Sequence, residues 1–339
     1  MNETRGPVPV IDLHCDLLDY LEAIEGASPD DASEIGCALP RLAEGGVNLQ
    51  VLAIFSHTGP GSVDFAEGEL RRYRRILRER ADSVESPEDA AAVEALLGSK
   101  KTGLTASIEN ASSLCGEEEP LEEAFRRFKR FRAEAGRILY ISLTHHLENR
   151  FGGGNTSEAG LKGDGEVFLD YLSGKGVAVD FSHTSDALAR DILDRIDSKG
   201  LAIPVLASHS NFRAVQDHPR NLPDDSAREI IRRGGVIGIN LLRYFLGPDD
   251  PKALLRHVEH GLSLGAENAL AFGADYYYTK NHPDRSRIPF YHPGQEHAGR
   301  YPEILRSLEG ILGDGGTRAL AHQNALDFLR RMEESGPAA

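Results

Sequence analysis

The sequence predicts an α/β protein that folds as a single (β/α)8 TIM barrel. Eight short apolar segments rich in β-branched residues recur along the 339-residue chain, and segments with helical periodicity separate them. Strands that alternate with helices predict a parallel sheet with crossover helices. Eight such units, and the lack of a glycine-rich dinucleotide-binding motif after the first strand, favour a closed barrel over an open sheet. We expect residues 1–339 to form one domain, because such barrels often exceed about 250 residues.

The predicted strands are segments of seven to nine residues, and most follow a turn that contains glycine or proline. In chain order they are 8–16, 48–56, 103–110, 138–145, 176–183, 203–210, 235–241 and 270–276. Helical periodicity follows at 67–81, 121–135, 185–196, 224–235, 251–265 and 317–334. Ser185 or Asp186 is a suitable N-cap for the third of these helices. Segment 277–300 is a long loop after the eighth strand, and we expect it to act as a lid or binding loop.

The composition argues against several classes of protein. A formal net charge of -15 disfavours a general nucleic-acid binder, which needs a basic face. The three cysteines, Cys15, Cys37 and Cys115, are odd in number and form no CxxC pair, so neither a disulfide framework nor a thiolate zinc site is predicted. No apolar run is long enough to span a membrane, and neither end of the sequence resembles a secretion signal or lipid anchor. We therefore expect a cytoplasmic protein without a membrane partner.

Metal-binding and proton-moving side chains recur at the ends of the predicted strands, where barrels of this kind hold their active sites. Six of the eight strands end in such residues, namely His14 with Asp16, Glu109, His145 with His146, His183, His209 and Asp275. Side chains alternate faces along a strand, so His14 and Asp16 point the same way while Cys15 points opposite. Imidazole and carboxylate ligands suit zinc, and also manganese or iron.

The set contains more ligands than one tetrahedral ion requires. His14, His183 and His209 together with Asp16, Glu109 and Asp275 would satisfy two divalent ions that share a bridging carboxylate. Two ions about 3.5–4 Å apart can generate hydroxide at neutral pH and stabilise both oxygens of a transition state. A single histidine at a strand end is more often a hydrogen-bonded structural residue. Six strand ends that each carry a histidine or a carboxylate favour a metal site.

Other titratable residues receive structural interpretations. Asp12 and Asp180 are expected to be structural partners of the site, and His257 and His260 are expected on the exposed face of a charged helix. His57 ends the second strand and remains an alternative site residue. The loop histidines, expected to be solvated, are His282, His292 and His297.

Six sequence segments together resemble one known family across nearly the whole chain. They are DLHCDLL (12–18), SIEN (107–110), SLTHHLENRFGGGN (142–155), VDFSHTS (179–185), ASHSNFRAVQDHPRNLPDD (207–225) and GGVIGINLL (234–242). The first is weakly specific, whereas the SHSNFRAV segment with the HPRN that follows it is highly specific. These segments resemble the membrane (renal) dipeptidases and their bacterial relatives, a family of two-zinc barrel enzymes.

The resemblance implies a zinc-dependent dipeptidase in which a metal-bridging hydroxide attacks the peptide bond of a small dipeptide substrate. It implies that His14 and Asp16 hold one zinc ion, that His183 and His209 hold the other, and that Glu109 bridges the two. Because members of this family are often dimers, it also favours a homodimer.

Three further roles follow from the same resemblance. Asp275 would contact the bridging water and act as the proton shuttle, His145 would stabilise the oxyanion, and Arg220 would bind the terminal carboxylate of the substrate. Arg220 has a structural alternative, a surface salt bridge. The chain departs from the family after Asp275, where three aromatic residues, Tyr276, Tyr277 and Tyr278, replace Phe-Asp-Gly.

Two other functions stay open at this stage. One is a different metal-dependent amide, ester or lactam hydrolase on the same barrel, which substrates with and without a free carboxylate would distinguish. The other is a catalytically inactive metal-binding relative, which only the three consecutive tyrosines favour. The complete set of candidate ligands argues against the inactive relative.

Overall fold

The computed structural model describes residues 8–334 and contains a nearly closed barrel of eight parallel strands, which confirms the predicted fold class. The strands are β1 Val10–Cys15, β2 Val47–Phe55, β3 Val84–Glu85, β4 Thr102–Glu109, β5 Ile138–Ser142, β6 Ala178–Asp180, β7 Val205–Leu206, β8 Ile237–Ile239 and β9 Leu270–Phe272. The barrel order is β7-β6-β5-β4-β2-β1-β9-β8. Residues 1–7 and 335–339, which include most of the sequence on which the absence of a signal or anchor was judged, lie outside the described range.

The strands at the two ends of this order, β7 and β8, meet through an isolated bridge, which closes the barrel. Ala207 lies beside Ile237 in parallel, the Ala207 amide donates to the Val236 carbonyl at 2.9 Å, and the Gly238 amide donates to Ala207 at 2.8 Å. The longest register joins β2 to β4 and sets Phe55 level with Glu109. Strand β3, which the sequence did not predict, pairs with β4 outside this path.

Helices surround the barrel, as a parallel sheet buried on both faces requires. They are α1 Leu17–Ala23, α2 Leu39–Gly45, α3 Ser62–Glu79, α4 Ala90–Leu96, α5 Glu122–Ala135, α6 Gly163–Leu172, α7 Asp186–Lys199, α8 Asp224–Arg232, α9 Arg243–Leu246, α10 Ala253–Ser263, α11 Tyr301–Arg318 and α12 Asn324–Glu334. The predicted N-cap of α7 is confirmed, because the Ser185 hydroxyl accepts the Leu188 amide. The helices that were not predicted are α1, α2, α4, α6, α9 and α11.

The long loop predicted at 277–300 is confirmed, since α11 begins at Tyr301 and only two short 3-10 turns interrupt the loop. The expectation that its histidines are solvated is wrong for His292, which is buried and donates from Nε2 to the Gly247 carbonyl at 3.1 Å. The loop packs against the barrel here, so a backbone carbonyl replaces water as the partner of the ring.

The predicted surface position of His257 is also wrong. This residue is buried on α10, on the face that contains Leu254 and Val258. Its Nδ1 accepts the Phe212 amide at 3.2 Å, and its Nε2 donates to the Leu246 carbonyl at 2.8 Å. Charged neighbours along the sequence suggested an exposed helix, but they occupy its other face. No helix within residues 8–334 has both the length and the apolar character needed to cross a membrane.

Candidate metal centre

Five of the predicted ligands converge at one end of the barrel. His14 lies on β1 and Glu109 ends β4, while Asp16, His183 and His209 follow the ends of β1, β6 and β7. His14 Nε2 lies 3.5 Å from Asp16 Oδ1 and 3.5 Å from Glu109 Oε2. On the opposite side, Glu109 Oε1 lies 3.0 Å from His183 Nε2 and 3.5 Å from His209 Nε2. Glu109 therefore presents one oxygen to each of two ligand groups.

The donor atoms of both groups fit a cation. In each group, His14–Asp16–Glu109 and Glu109–His183–His209, the ligand atoms lie within 4.8 Å of one another. His14 Nε2 and Asp16 Oδ1 are buried atoms without a hydrogen-bond partner. An unpaired buried polar atom is costly, and a divalent cation would satisfy both. This donor chemistry, imidazole and carboxylate without thiolate, suits zinc.

The ring orientation of two of the histidines is set by hydrogen bonds behind them. His14 Nδ1 lies 2.8 Å from the hydroxyl of Tyr140, which itself donates to a backbone carbonyl. His209 Nδ1 lies 2.6 Å from Ser208 Oγ, which donates to the Asp180 carboxylate at 2.7 Å. Each hydroxyl has used its proton and so accepts the Nδ1–H, so that the neutral form of each ring presents an Nε2 lone pair to the centre. The interpretation of Asp180 as a structural partner agrees with this contact.

Charge differs between the two groups. Burial favours the neutral form of His14, but the carboxylates of Glu109 and Asp16 outweigh it and raise the pKa of His14 to about 10. Burial lowers the pKa of both His183 and His209 well below the ordinary value, so these rings are neutral. Without a cation the first group therefore holds a proton on His14, which a divalent cation would displace, and the second has neutral imidazoles whose Nε2 atoms lie 3.1 Å apart.

Backbone strain is concentrated at the same end of the barrel. Within residues 8–334, the non-glycine residues with positive φ are Asn110 at 75°, His183 at 69° and Asp275 at 61°. Two of them are predicted site residues, and Asn110 directly follows Glu109. Such conformations cost on the order of 1–3 kcal/mol each and persist where the surrounding structure holds them, typically at functional sites.

Asp275 faces the first group from the end of β9. Its Oδ1 lies 3.8 Å from His14 Nε2, and its Oδ2 accepts a hydrogen bond from Asn240 Nδ2 at 2.6 Å. The Leu242 amide donates to Asn240 Oδ1 and thereby orients that amide group. Burial raises the pKa of the Asp275 carboxyl to about 6. One carboxylate oxygen is therefore held in place while the other remains available for proton transfer.

Arg220 is buried beside the centre, so its alternative interpretation as a surface salt bridge is wrong. Its side chain donates to Ser210 Oγ at 2.7 Å and to the His209 carbonyl at 2.9 Å. Its Nε is buried without a partner, and among residues 8–334 no carboxylate forms an ion pair with it. A buried guanidinium without an anion has the geometry to receive one.

His145 lies at the edge of the centre and is 17% exposed. Its Nε2 is 3.7 Å from Glu109 Oε1, and its ring is 4.0 Å from the rings of both His146 and His183. Burial lowers the pKa of His145 well below its ordinary value, so the ring is neutral and can donate an N–H. His57 lies farther out, with its ring 6.3 Å from that of His145.

The tyrosines after Asp275 do not all face the site. Tyr276 is fully buried and donates to the Gln295 carbonyl at 3.1 Å, whereas Tyr278 packs on Tyr20. Tyr277 lines a cleft of about 730 Å³ beneath the long loop, together with Tyr291. The tyrosines therefore pack around the loop and against Tyr20, and the two ligand groups are complete beside them.

Sequence reasoning missed the residues that orient the ligands, namely Tyr140, Asn155, Ser208 and Asn240. Three of them lie inside the quoted motifs, which was the available signal. It also missed Glu69 on α3, a buried carboxyl that accepts the Phe55 amide at 2.6 Å and whose pKa burial raises well above its ordinary value. Glu69 occurs in a strongly charged helical segment, where nothing in the sequence distinguishes it from its exposed neighbours.

Comparison with known proteins places this geometry in a family. Dipeptidase tcpJ of Claviceps purpurea is 24% identical over 318 residues, which are 87% of this chain and 69% of that protein. An uncharacterized dipeptidase of Schizosaccharomyces pombe is 26% identical over 209 residues, 59% of this chain and 48% of its own length. The fold is shared with a metallo peptidase from Rhodobacter sphaeroides, with a TM-score of 0.79 at 18% identity over 96% of this chain and 100% of that one.

The sequence profile described as membrane dipeptidase, peptidase family M19, matches residues 3–337. That match covers the barrel and every residue of the two ligand groups. The chain therefore belongs to the membrane dipeptidase family, peptidase family M19, and is a metal-dependent hydrolase of dipeptides.

Proposed function

We propose that the enzyme cleaves dipeptides with two divalent cations, zinc ions, held by the two ligand groups that share Glu109. The observation that carries the proposal is the position of Glu109, with Oε2 3.5 Å from His14 and Oε1 3.0 Å from His183. His14 and Asp16 would complete the first site, and His183 and His209 the second. Cations bound there lower the pKa of a water molecule and polarise the carbonyl group of the substrate.

Asp275 is the proposed proton carrier. Its Oδ1 faces the ligand groups, and its pKa of about 6 is close to neutral pH, as efficient general acid–base catalysis requires. Asp275 accepts the proton of the attacking water and passes it to the leaving amine. The hydrogen bond from Asn240 holds the other carboxylate oxygen, so the group does not rotate away between the two transfers.

Arg220 and His145 are the proposed substrate-binding residues. The buried guanidinium of Arg220 lacks an anionic partner and would bind the terminal carboxylate of the substrate. Neutral His145 would donate to the carbonyl oxygen as negative charge develops, an interaction worth about 3–4 kcal/mol in comparable sites. The buried positive charge of the Arg220 guanidinium also favours a substrate with a free carboxylate over a neutral lactam or ester. The presence of both Asp275 and Arg220 argues against a catalytically inactive relative.

Similarity to the Rhodobacter sphaeroides peptidase supports this choice of substrate, because that protein was solved with a phosphinate mimic of the dipeptide L-Ala-D-Ala. A phosphinate is tetrahedral, like the intermediate of peptide hydrolysis. The buried free thiols Cys15, Cys37 and Cys115 fit a reducing compartment, and we propose a cytoplasmic location. A homodimer is also proposed, and light scattering of the purified protein would test it.

Metal analysis combined with dipeptide hydrolysis tests the proposed function. We expect two zinc ions per chain, loss of dipeptidase activity after chelation, and recovery when zinc is added back. An amidated dipeptide of the same sequence serves as the matched control and should be cleaved poorly. A protein that binds fewer than two divalent ions, or that remains fully active after chelation, would contradict the proposal.

A further inference from the structure

One side-chain oxygen behind the second ligand group serves two histidines. Asn155 Oδ1 lies 3.3 Å from His183 Nδ1 and 3.0 Å from His146 Nδ1. Asn155 is buried, with 7% of its surface exposed. An amide oxygen has two lone pairs and only accepts, so it can receive the Nδ1–H of both rings.

Three consecutive glycines bring Asn155 to this position. Cβ atoms added at Gly152, Gly153 and Gly154 would clash with the Leu188 side chain, the Ala159 carbonyl and the His145 carbonyl, respectively. These glycines do not have positive φ, so close approach is the reason that no side chain fits there. The glycines thus let segment 152–155 lie directly against α7 and against the backbone at His145 and Ala159.

The same segment is tied to the backbone that follows His183. The Ser185 amide donates to the Gly153 carbonyl at 2.9 Å, and Gly154 forms an isolated bridge with Thr184. The two backbone segments therefore hold Asn155 and His183 in a fixed relation. The constraint matters because His183 has the positive φ of 69° noted above and needs support from its surroundings.

We propose that segment 152–155 is a positioning device in which Asn155 fixes the Nδ1–H form of His183 and aligns His146 beside it. The inference rests on the proposed metal set, since its consequence is an Nε2 lone pair on His183 that faces Glu109. Asn155 is a positioning residue because it acts on the centre through His183. It is the neutral counterpart of the support behind His209, where Ser208 links the ring to the Asp180 carboxylate.

Zinc titration of the metal-free, full-length chain against a chromophoric chelator tests the proposal. Asn155→Ala should weaken one of the two zinc sites by about 10–100-fold, as loss of an orienting partner does. Asn155→Asp keeps the acceptor and should bind zinc at least as tightly as the native chain. Ser157→Ala is the matched control, because among residues 8–334 the Ser157 hydroxyl bonds to Glu148 and the Ala159 amide and to no residue of the centre. Native affinity at both sites in Asn155→Ala would overturn the inference.

A second measurement remains informative even where Asn155→Ala folds poorly. Imidazole nitrogen NMR of the metal-free native chain, with His183 assigned by substitution, should show the neutral ring protonated on Nδ1. Protonation on Nε2 would overturn the inference. The zinc titration also separates the two proposals. A native chain that binds fewer than two zinc ions would contradict the proposed metal set. Two tight sites that are unaffected by Asn155→Ala would contradict only the proposed role of Asn155.

Discussion

His14 and His257 are both fully buried, yet only His257 has partners for both ring nitrogens. On α10, His257 accepts the Phe212 amide and donates to the Leu246 carbonyl. At the barrel mouth, His14 Nδ1 bonds to Tyr140, while its Nε2 has no hydrogen-bond partner and faces two carboxylates at 3.5 Å. The difference shows that burial alone does not identify a functional histidine. What identifies His14 is that its unpaired nitrogen faces the carboxylates of Asp16 and Glu109 at the strand ends.

The two surroundings also move the two pKa values in opposite directions. Burial lowers the pKa of His257 to about 4, although the hydrogen bond to the Leu246 carbonyl acts in the opposite direction. Around His14, the carboxylates of Glu109 and Asp16 outweigh burial and raise the pKa to about 10. Without a cation the barrel mouth therefore holds a proton on His14 that a divalent cation would displace, whereas His257 is neutral at pH 7.

The substitution with the largest expected effect on turnover is Asp275→Asn, and it tests whether catalysis occurs beside His14. Asp275→Asn removes the proton carrier and should lower kcat by about 10²–10⁴-fold. Zinc content measured by elemental analysis should not change, because the five proposed ligands remain. Near-native kcat in this variant would show that Asp275 is not the proton carrier.

His14→Gln tests the unpaired nitrogen directly. The variant should lose one of two zinc ions, with affinity at that site reduced by more than about 100-fold, since loss of an outer partner alone costs about 10–100-fold. The stability of the metal-free chain at pH 7 should fall, because the carboxylates of Glu109 and Asp16 that raise the pKa of His14 lose their partner. If titration of the variant shows two zinc sites of native affinity, His14 is not a zinc ligand.

Arg220→Ala extends the comparison to a second unpaired buried group, the Arg220 Nε. Loss of a buried partner for the substrate carboxylate should raise KM by at least ~10-fold, because such contacts contribute about 2–5 kcal/mol. Steady-state kinetics with amidated dipeptides provide the control, for which KM should change little. An equal effect on both substrate types would assign Arg220 a structural role.

His257→Gln should have the smallest effect on turnover and a distinct effect on stability. The folded pKa of about 4 lies below the unfolded value of 6.5, so the stability from neutral His257 is present above pH 6.5 and is lost as pH falls toward 4. Denaturant unfolding at pH 7 and pH 4 should show that the native chain loses about 3 kcal/mol more than the variant over this interval, from 1.36 kcal/mol per pKa unit. Identical pH dependence in the two proteins would refute this assignment.

Local sequence pattern was sufficient for much of the fold. Alternating apolar segments and helical periodicity predicted all eight barrel strands, because each pattern follows from backbone geometry over a few residues. The pattern overestimated the later strands, which shorten to two or three residues in β6 to β9. Their remaining residues leave the sheet to bring His183, His209 and Asp275 toward the centre. Helix α11 went unpredicted because several glycines and a proline weaken its helical signal.

The sequence by itself determined which side chains could form the centre, since period-two alternation and the positions of the strand ends identify His14, Asp16 and Glu109 as candidates. Tertiary structure decided what those residues face. Glu109 lies between two ligand groups, and Arg220 lies buried without an anion, because barrel closure brings together strands that are distant in the chain. Burial and hydrogen-bond partners depend on such long-range contacts. Because both rings are fully buried, it is their hydrogen-bond partners that distinguish His14 from His257.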